Sequence, residues 1–289
     1  MKPCAFEYFA PGTVQEAIAL LQQHQGKILA GGQSLIPIMN FRLGRPEVLV
    51  DINGIKELAY IREEGEELAI GALTRERDAE ISALVRRKCP LLSEAISHVG
   101  HVTIRNRGTV GGSVAHADPS AEIPAALLAL DGEIKVVGPD GEAAFKPQEF
   151  FLTYLTTALE PAQMLTEIRV PVLPAGTGWS FVEMSRRSGD FAIVAVATLL
   201  FMDGNGACRE ARIALGGVAP TPVRAAQAEE LLAGQKITEQ LIQQAGKLAI
   251  ESTDAESDYH ASADYRRDMT RVLVQRSLRE ALNKAQGGK

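Results

Sequence analysis

No apolar run in this sequence approaches the ~20 residues that a helix needs to cross a bilayer, so no transmembrane span is expected. No opening signal pattern is present either, because Glu7 and the Pro11-Gly12 turn interrupt the first apolar stretch. A cytoplasmic location is the default expectation. Cysteine is scarce: the three, Cys4, Cys89 and Cys208, are far apart and form no CxxC or Cys/His cluster. That pattern holds no zinc or iron–sulfur motif, and the thiols read as free and packed. Positive charge is not in excess. A formal net charge of −6 argues against the basic surface that non-specific nucleic-acid binding requires. G-x-G-x-x-G and G-x-x-x-x-G-K-[ST] are both missing, so a classical Rossmann site and a P-loop are unsupported. Internal repeats, low-complexity segments and single-sign charge runs are absent as well.

What is present is a chain of 289 residues, 46% hydrophobic, enough for one large domain or two ordinary ones. A helix opens at Thr13, where Glu16 completes a capping box and Ala17, Ile18 and Leu21 share a face. Residues 27–30 and 48–52 read as strands and 35–39 as a helix or turn, which makes a small α/β unit of the first ~53 residues. Beyond it come a strand at 67–72, helices at 77–85, 91–98 and 121–130, a hairpin of 133–137 with 142–145, and a strand at 164–170. Residues 171–178 are rich in Pro and Gly and mark a domain boundary. Strands at 181–185, 194–202 and 209–215 follow, then helices at 225–232, 238–251 and 262–285.

Two glycine-rich stretches stand out. The first is Leu29, Ala30, Gly31, Gly32, Gln33, Ser34 and Leu35; the second is Gly108, Thr109, Val110, Gly111, Gly112 and Ser113. Glycine lets backbone amides approach an anion closely, and the Ser and Thr hydroxyls add donors. Each stretch alone reads as a turn before it reads as a ligand site. Together they could clamp a diphosphate from two sides.

Three stretches occur in a telling order: "AGGQSLIPIMNFRLGRPEVLVDI", "TIRNRGTVGGSVAHADPSAEIPAAL" and "SRRSGDFAIVAVA". Through them nearly the whole chain resembles the FAD-binding medium subunit of the molybdenum hydroxylases, the family of carbon monoxide dehydrogenase and of bacterial xanthine, nicotine and aromatic-acid dehydrogenases. The resemblance implies an α+β fold. A vanillyl-alcohol-oxidase (PCMH)-type FAD domain would span 1–175, in two α/β subdomains of about 1–53 and 54–175. A C-terminal domain, 176–289, would carry a three-stranded sheet with helices.

It also implies that the two glycine stretches hold the FAD diphosphate, that Asp118 and Glu122 hydrogen-bond the cofactor, and that Leu165 lies against the flavin end. The loop of Ser185, Arg186, Arg187, Gly189 and Asp190 would face the flavin edge or a partner, where its residues alone read as an exposed, ion-paired turn. Val182 stands where some relatives carry a lysine near the flavin. Arg105 and Arg107 are expected to offset the diphosphate charge or to meet a partner. His98, His101 and His116 read as structural before they read as proton carriers.

The function implied is electron transfer. A large partner carries the molybdenum cofactor and a small one the [2Fe-2S] clusters, in a dimer of heterotrimers. FAD in this chain passes the electrons to an external acceptor: NAD, a quinone, a cytochrome or oxygen. No catalytic triad and no metal ligand is expected in the chain itself. The rivals are a stand-alone FAD oxidoreductase of the same fold and a flavin-free assembly or regulatory protein. Valine at Gly111 and Gly112 is expected to abolish FAD retention and to leave the chain folded.

Overall fold

A computed structural model describes residues 2–287. The first unit is a parallel three-stranded sheet in the order β1 (Glu7–Phe9), β3 (Val48–Asp51), β2 (Lys27–Leu29), with α1 (Val14–His24) and α2 (Leu35–Asn40) between its strands. The central strand is buried on both faces at Val48, Leu49 and Val50, as a covered parallel strand must be. Thr13 caps α1 by accepting from Glu16 N at 3.2 Å. The Glu16 carboxylate reaches one residue further back than a standard capping box and accepts from Gly12 N at 2.7 Å.

The second unit is an antiparallel sheet of five strands: β4 (Ile61–Glu64), β5 (Glu67–Gly71), β10 (Met164–Pro171), β6 (Glu133–Gly138) and β7 (Gly141–Phe145), in that spatial order. Its helices are α3 (Glu76–Ile81), α4 (Ala83–Lys88), α5 (Pro90–His98), α6 (Val102–Arg105), α7 (Val110–His116), α8 (Glu122–Leu130) and α9 (Pro147–Phe150). A small hairpin, β8 (Phe151–Thr153) with β9 (Thr156–Thr157), precedes β10. The single helix expected at 77–85 is two helices. Ser82 leaves helical geometry at φ −58°, ψ 120°, and its hydroxyl caps α4. Every residue of α8 is buried, which makes it the central pillar of the molecule.

The third unit is β11 (Gly178–Met184), β12 (Val194–Met202), β13 (Cys208–Gly216) and β14 (Val223–Arg224), antiparallel in sequence order. The three expected strands are there, and the two-residue β14 adds a short edge beyond them. Helices α10 (Ala226–Leu232), α11 (Glu239–Leu248) and α12 (Ala263–Ala285) cover one face. A 3-10 turn, Ala249–Ser252, ends the middle helix earlier than its apolar stripe implied.

Period-2 alternation sorts this sheet between two cores. Val194, Val196 and Leu200 pack toward the helices of the third unit, whereas Ala195, Ala197 and Leu199 join the main core with α5 and α8. Phe181 and Glu183 of β11 are two residues apart and so share a face, and Phe181 belongs to that main core. The third unit is therefore fused to the second through small side chains, and it presents Glu183 toward α5. Among the described residues, no helix is long and apolar enough to cross a membrane.

Candidate functional site

The two glycine stretches meet. Residues 29–35 leave β2 and enter α2, and residues 106–113 leave α6 and enter α7, so each is a turn that delivers its chain to a helix N-terminus. A Cβ added to Gly31 would stand 2.5 Å from Arg107 O and 2.8 Å from Gly108 Cα. Only bare backbone permits that approach. Ala30 Cβ lies 3.9 Å from where a Cβ on Gly112 would be.

In the first turn the carbonyls are tied inward. Ala30 O accepts from Asn53 Nδ2 at 2.7 Å and Gly31 O from Gln33 Nε2 at 3.1 Å. Gly32 O and Ser34 O accept from Ile36 N and Ile38 N, both at 3.1 Å. A trans peptide points its C=O and its N–H in opposite directions. Tying these oxygens back therefore turns the following amides outward. The amides of Gly31, Gly32, Gln33, Ser34 and Leu35 have no partner among the described residues. Gly32 is left-handed (φ +72°), and Ser34 is right-handed (φ −101°, ψ −47°). Such a change of hand gathers successive N–H groups into a concave nest for an anion. Ser34 is the N-cap of α2, yet its side chain makes no capping bond. A cavity of about 450 Å³ runs along this turn, and Asn40, Asp51, Asn53 and Arg107 complete its wall.

The second turn uses its amides internally, all but that of Thr109. Gly108 N donates to Ile104 O at 2.7 Å, Val110 N to Thr74 O at 3.0 Å and Gly111 N to Ala72 O at 3.0 Å. Gly112 N donates to Thr109 Oγ1 at 3.1 Å, and Ser113 N to Thr109 O at 3.0 Å. Thr109 is thus the N-cap of α7 and is 2% exposed. A Cβ on Gly111 would lie 2.6 Å from Ala72 Cβ, and one on Gly108 would run into the Glu76 carboxylate. Gly108, Thr109, Val110 and Gly111 are buried; Gly112 and Ser113 are the half-exposed residues. This corrects the expectation that both stretches offer free amides. It also corrects the valine test, because a valine at Gly111 strikes the fold before it strikes a ligand.

The acidic residues converge behind the second turn. Glu122, the first residue of α8, is 4% exposed, and burial pushes its carboxyl up to about 8 against the pull of its own amide, with Glu183 adding to the rise. Glu76 is buried to the same degree; burial, then the charge of Glu122, raises it to about 8. One carboxylate oxygen of Glu76 and one of Glu183 are buried with no hydrogen-bond partner. His98 Nδ1 lies 3.5 Å from Glu183 Oε1, and this contact raises the histidine's pKa. Asp118 is half-buried and closes a local turn by accepting from Ser120 N at 2.9 Å. The following carbonyl, Pro119 O, accepts from Gly217 N of the third unit at 2.7 Å.

Other expected positions fall elsewhere. Leu165 is 4% exposed and is part of the main core. Arg105 is bound to Glu80 at 2.8 Å and to the carbonyls of Val99 and Gly100, so it braces α3 and α5 and does not face the first turn. Arg107 does line the cavity. The loop at 185–190 is an exposed turn closed by its own backbone, with the Arg186 guanidinium over the Tyr259 ring and Gly189 against the His101 ring. Burial depresses the pKa of His116. Val182 is half-buried in the core of the third unit.

Sequence reasoning missed Asn53, Arg75, Glu76 and Glu183. Asn53 carried a signal, the Asx turn of Asp51-Ile52-Asn53 right after a strand. The two glutamates carried none, because a buried Glu in one sequence looks like a solvated one.

Residues 4–173 match the family model described as the FAD binding domain in molybdopterin dehydrogenase, and residues 179–281 match that of the CO dehydrogenase flavoprotein C-terminal domain. The chain is similar to the alpha subunit of the 6-hydroxypseudooxynicotine dehydrogenase complex of Paenarthrobacter nicotinovorans, at 40% identity over 99% of this chain and 97% of that one. Carbon monoxide dehydrogenase of Hydrogenophaga pseudoflava, in a form lacking the Mo-pyranopterin moiety of its cofactor, superposes with a TM-score of 0.95 at 42% identity, over 97% of this chain and 98% of that one. Quinoline 2-oxidoreductase of Pseudomonas putida 86 gives 0.94 at 37% identity, over 99% of both chains.

Proposed function

The chain belongs to the FAD-binding medium subunits of the molybdenum hydroxylases, and from that premise we propose that it takes electrons from the [2Fe-2S] clusters of a small partner and passes them through FAD to an external acceptor. It is a component of an oxidoreductase, as its relatives are. A large partner holding the molybdenum cofactor completes the proposed complex, a dimer of heterotrimers.

The observation that carries this reading is the row of partnerless amides from Gly31 to Leu35. A diphosphate brings several acceptor oxygens and negative charge, and fixed amides replace its water without any lysine. The residues present fit FAD on a second count. The orphaned carboxylate oxygens of Glu76 and Glu183, with Glu122 beside them, are acceptors for hydroxyl or N–H donors. When bound, FAD supplies the redox chemistry. The chain's own residues do the rest: the first turn holds the diphosphate, the second turn walls it, Ser113 offers a hydroxyl, and Glu122 accepts from the sugar-alcohol chain. Asp118, whose charge adds to the rise of Glu122, serves the same class of hydroxyl.

The test is an absorption spectrum of the purified chain, with the released chromophore identified by mass. The expected result is FAD at about one per chain, with two partner chains co-purifying from the native source. A folded, colourless chain that refuses added FAD even with partners would overturn the reading in favour of an assembly or regulatory role. A flavin-loaded chain that turns over an organic substrate without partners would favour a stand-alone oxidoreductase.

A further inference from the structure

Free amides form a cradle only if their turn is held still against the second one. A line of side chains does this. Asn53 Nδ2 donates to Ala30 O, 23 residues away, at 2.7 Å and also to Asp51 Oδ1 at 2.7 Å. Asn53 Oδ1 accepts from Arg75 Nη2 at 2.9 Å. Arg75 Nη1 in turn donates to Arg107 O, 32 residues away, at 2.6 Å. Asp51 is itself fixed by the Tyr8 hydroxyl at 2.5 Å and by Asn53 N at 2.9 Å. One Asn–Arg pair therefore grips one main-chain carbonyl from each turn.

The two carbonyls are not arbitrary ones. Ala30 O belongs to the peptide whose N–H is that of Gly31, one of the free amides of the cradle. Because that peptide is planar and trans, holding its oxygen at Asn53 aims the Gly31 amide the opposite way. Arg107 O belongs to the peptide on which bare Gly31 rests, 2.5 Å from an added Cβ. Fixing it sets the floor under the first turn.

We propose that Arg75 and Asn53 are positioning residues for the cofactor diphosphate: they act through the carbonyls they bond, and they set the orientation and spacing of the two turns. The inference rests on the reading of residues 31–35 as the diphosphate cradle. Arg75 acts through Asn53 and Arg107 O, so the two side chains form one device.

The test uses the full chain, stripped of flavin, with Arg75→Gln, Asn53→Ala, the double variant and Arg75→Lys. Affinities for FAD, ADP and riboflavin are measured by titration, and the unfolding midpoint of each flavin-free protein is recorded. Each single variant is expected to weaken FAD and ADP alike by about tenfold, the scale of a lost charge-assisted hydrogen bond. The double variant should lose little more than the worse single, because both break one link. Lysine keeps the charge and one donor, and should recover part of the loss. Riboflavin, which has no phosphate, should bind as before.

Folded variants that hold FAD within twofold of the parent would overturn the proposal. So would equal losses for all three compounds that track a fall in the unfolding midpoint, since that is general damage. If Arg75→Gln does not fold, Asn53→Ala carries the same test alone. The cradle is checked separately by Ser34→Asp. If that variant keeps FAD, the cradle is misassigned. If it loses FAD while the Arg75 and Asn53 variants keep theirs, the brace alone is wrong.

Discussion

Residues 31–35 and 108–113 carry the same residue types and touch each other, but they use their backbones in opposite ways. In the first turn the carbonyls are bonded inward and the amides are left free. In the second turn every amide but that of Thr109 is bonded inward, to Ile104, Thr74, Ala72 and the Thr109 cap. The glycines differ accordingly. Gly32 is needed for its left-handed φ of +72°, which shapes a nest, whereas Gly111 is needed because Ala72 leaves no room for a Cβ. A glycine-rich stretch signals close approach of something to the backbone. What approaches can be a ligand or the protein's own next strand, and only the hydrogen-bond pattern separates the two.

The largest expected effect breaks the second turn. Gly111→Val forces a branched side chain onto Ala72, whose Cβ and Cα would lie 2.6 and 2.7 Å from the new Cβ. Overpacking of this kind against backbone should cost about 3 kcal/mol or more of stability, read in denaturant unfolding of the flavin-free chain. The counterpart in the first turn is Ser34→Asp. A carboxylate at this N-cap, where the serine makes no capping bond, should stabilise α2 by ~0.5–1 kcal/mol. The same charge occupies the nest and repels a diphosphate, so FAD should weaken by roughly 2–3 kcal/mol, about 30- to 150-fold. Stability up and binding down in one variant, against stability down in the other, is the pattern that separates cradle from scaffold.

Much of this was legible in one sequence. The period-2 and period-3.6 patterns found the main strands and helices, because burial there is repeated along the element. The short strands β1, β4, β8, β9 and β14 were not foreseen, because each is too short, too polar or too near an edge to show alternation. The internal bonding of the second turn was not legible, for a physical reason. Thr109 followed three residues later by Gly112 carries no Glu or Gln, so the helix cap it forms lacks the usual capping-box signature. Arg105 looked like a diphosphate counter-charge until its partner Glu80, 25 residues away, was in view. Long-range pairs of this kind, and the burial of Glu76 and Glu183, arise from tertiary packing that no local pattern records.

A third prediction asks on which side of the comparison the acidic cluster belongs. Burial raises the Glu122 carboxyl from its ordinary 4.5 to about 8. Between those values the folded chain keeps a proton that the unfolded chain releases, so stability falls as pH rises through that window and levels off above it. Glu122→Gln removes this residue's share of the dependence. The flavin-free variant should match the parent near pH 5 and exceed it by about 1–2 kcal/mol above pH 8, measured by unfolding at both pH values. Glu76 is raised by the same burial, so part of the slope should survive in the variant. If FAD affinity also drops several-fold, the cluster sides with the first turn as part of the site. If affinity is untouched, the cluster is scaffold.

The smallest effect sharpens the comparison most. Ser113 is half-exposed, its amide is taken by Thr109 O, and its hydroxyl has no hydrogen-bond partner among the described residues. It is therefore the side-chain donor that the second turn has left to give. Ser113→Ala should leave flavin-free stability within about 0.5 kcal/mol of the parent, because no existing bond is broken. FAD should weaken by about 1 kcal/mol, roughly fivefold, in a direct titration. An unchanged FAD affinity would make the division complete: one turn binds and the other only supports it. A fivefold loss without a stability change would mean that the supporting turn still donates one hydroxyl to the ligand, the contribution open to a backbone whose amides already serve its own fold.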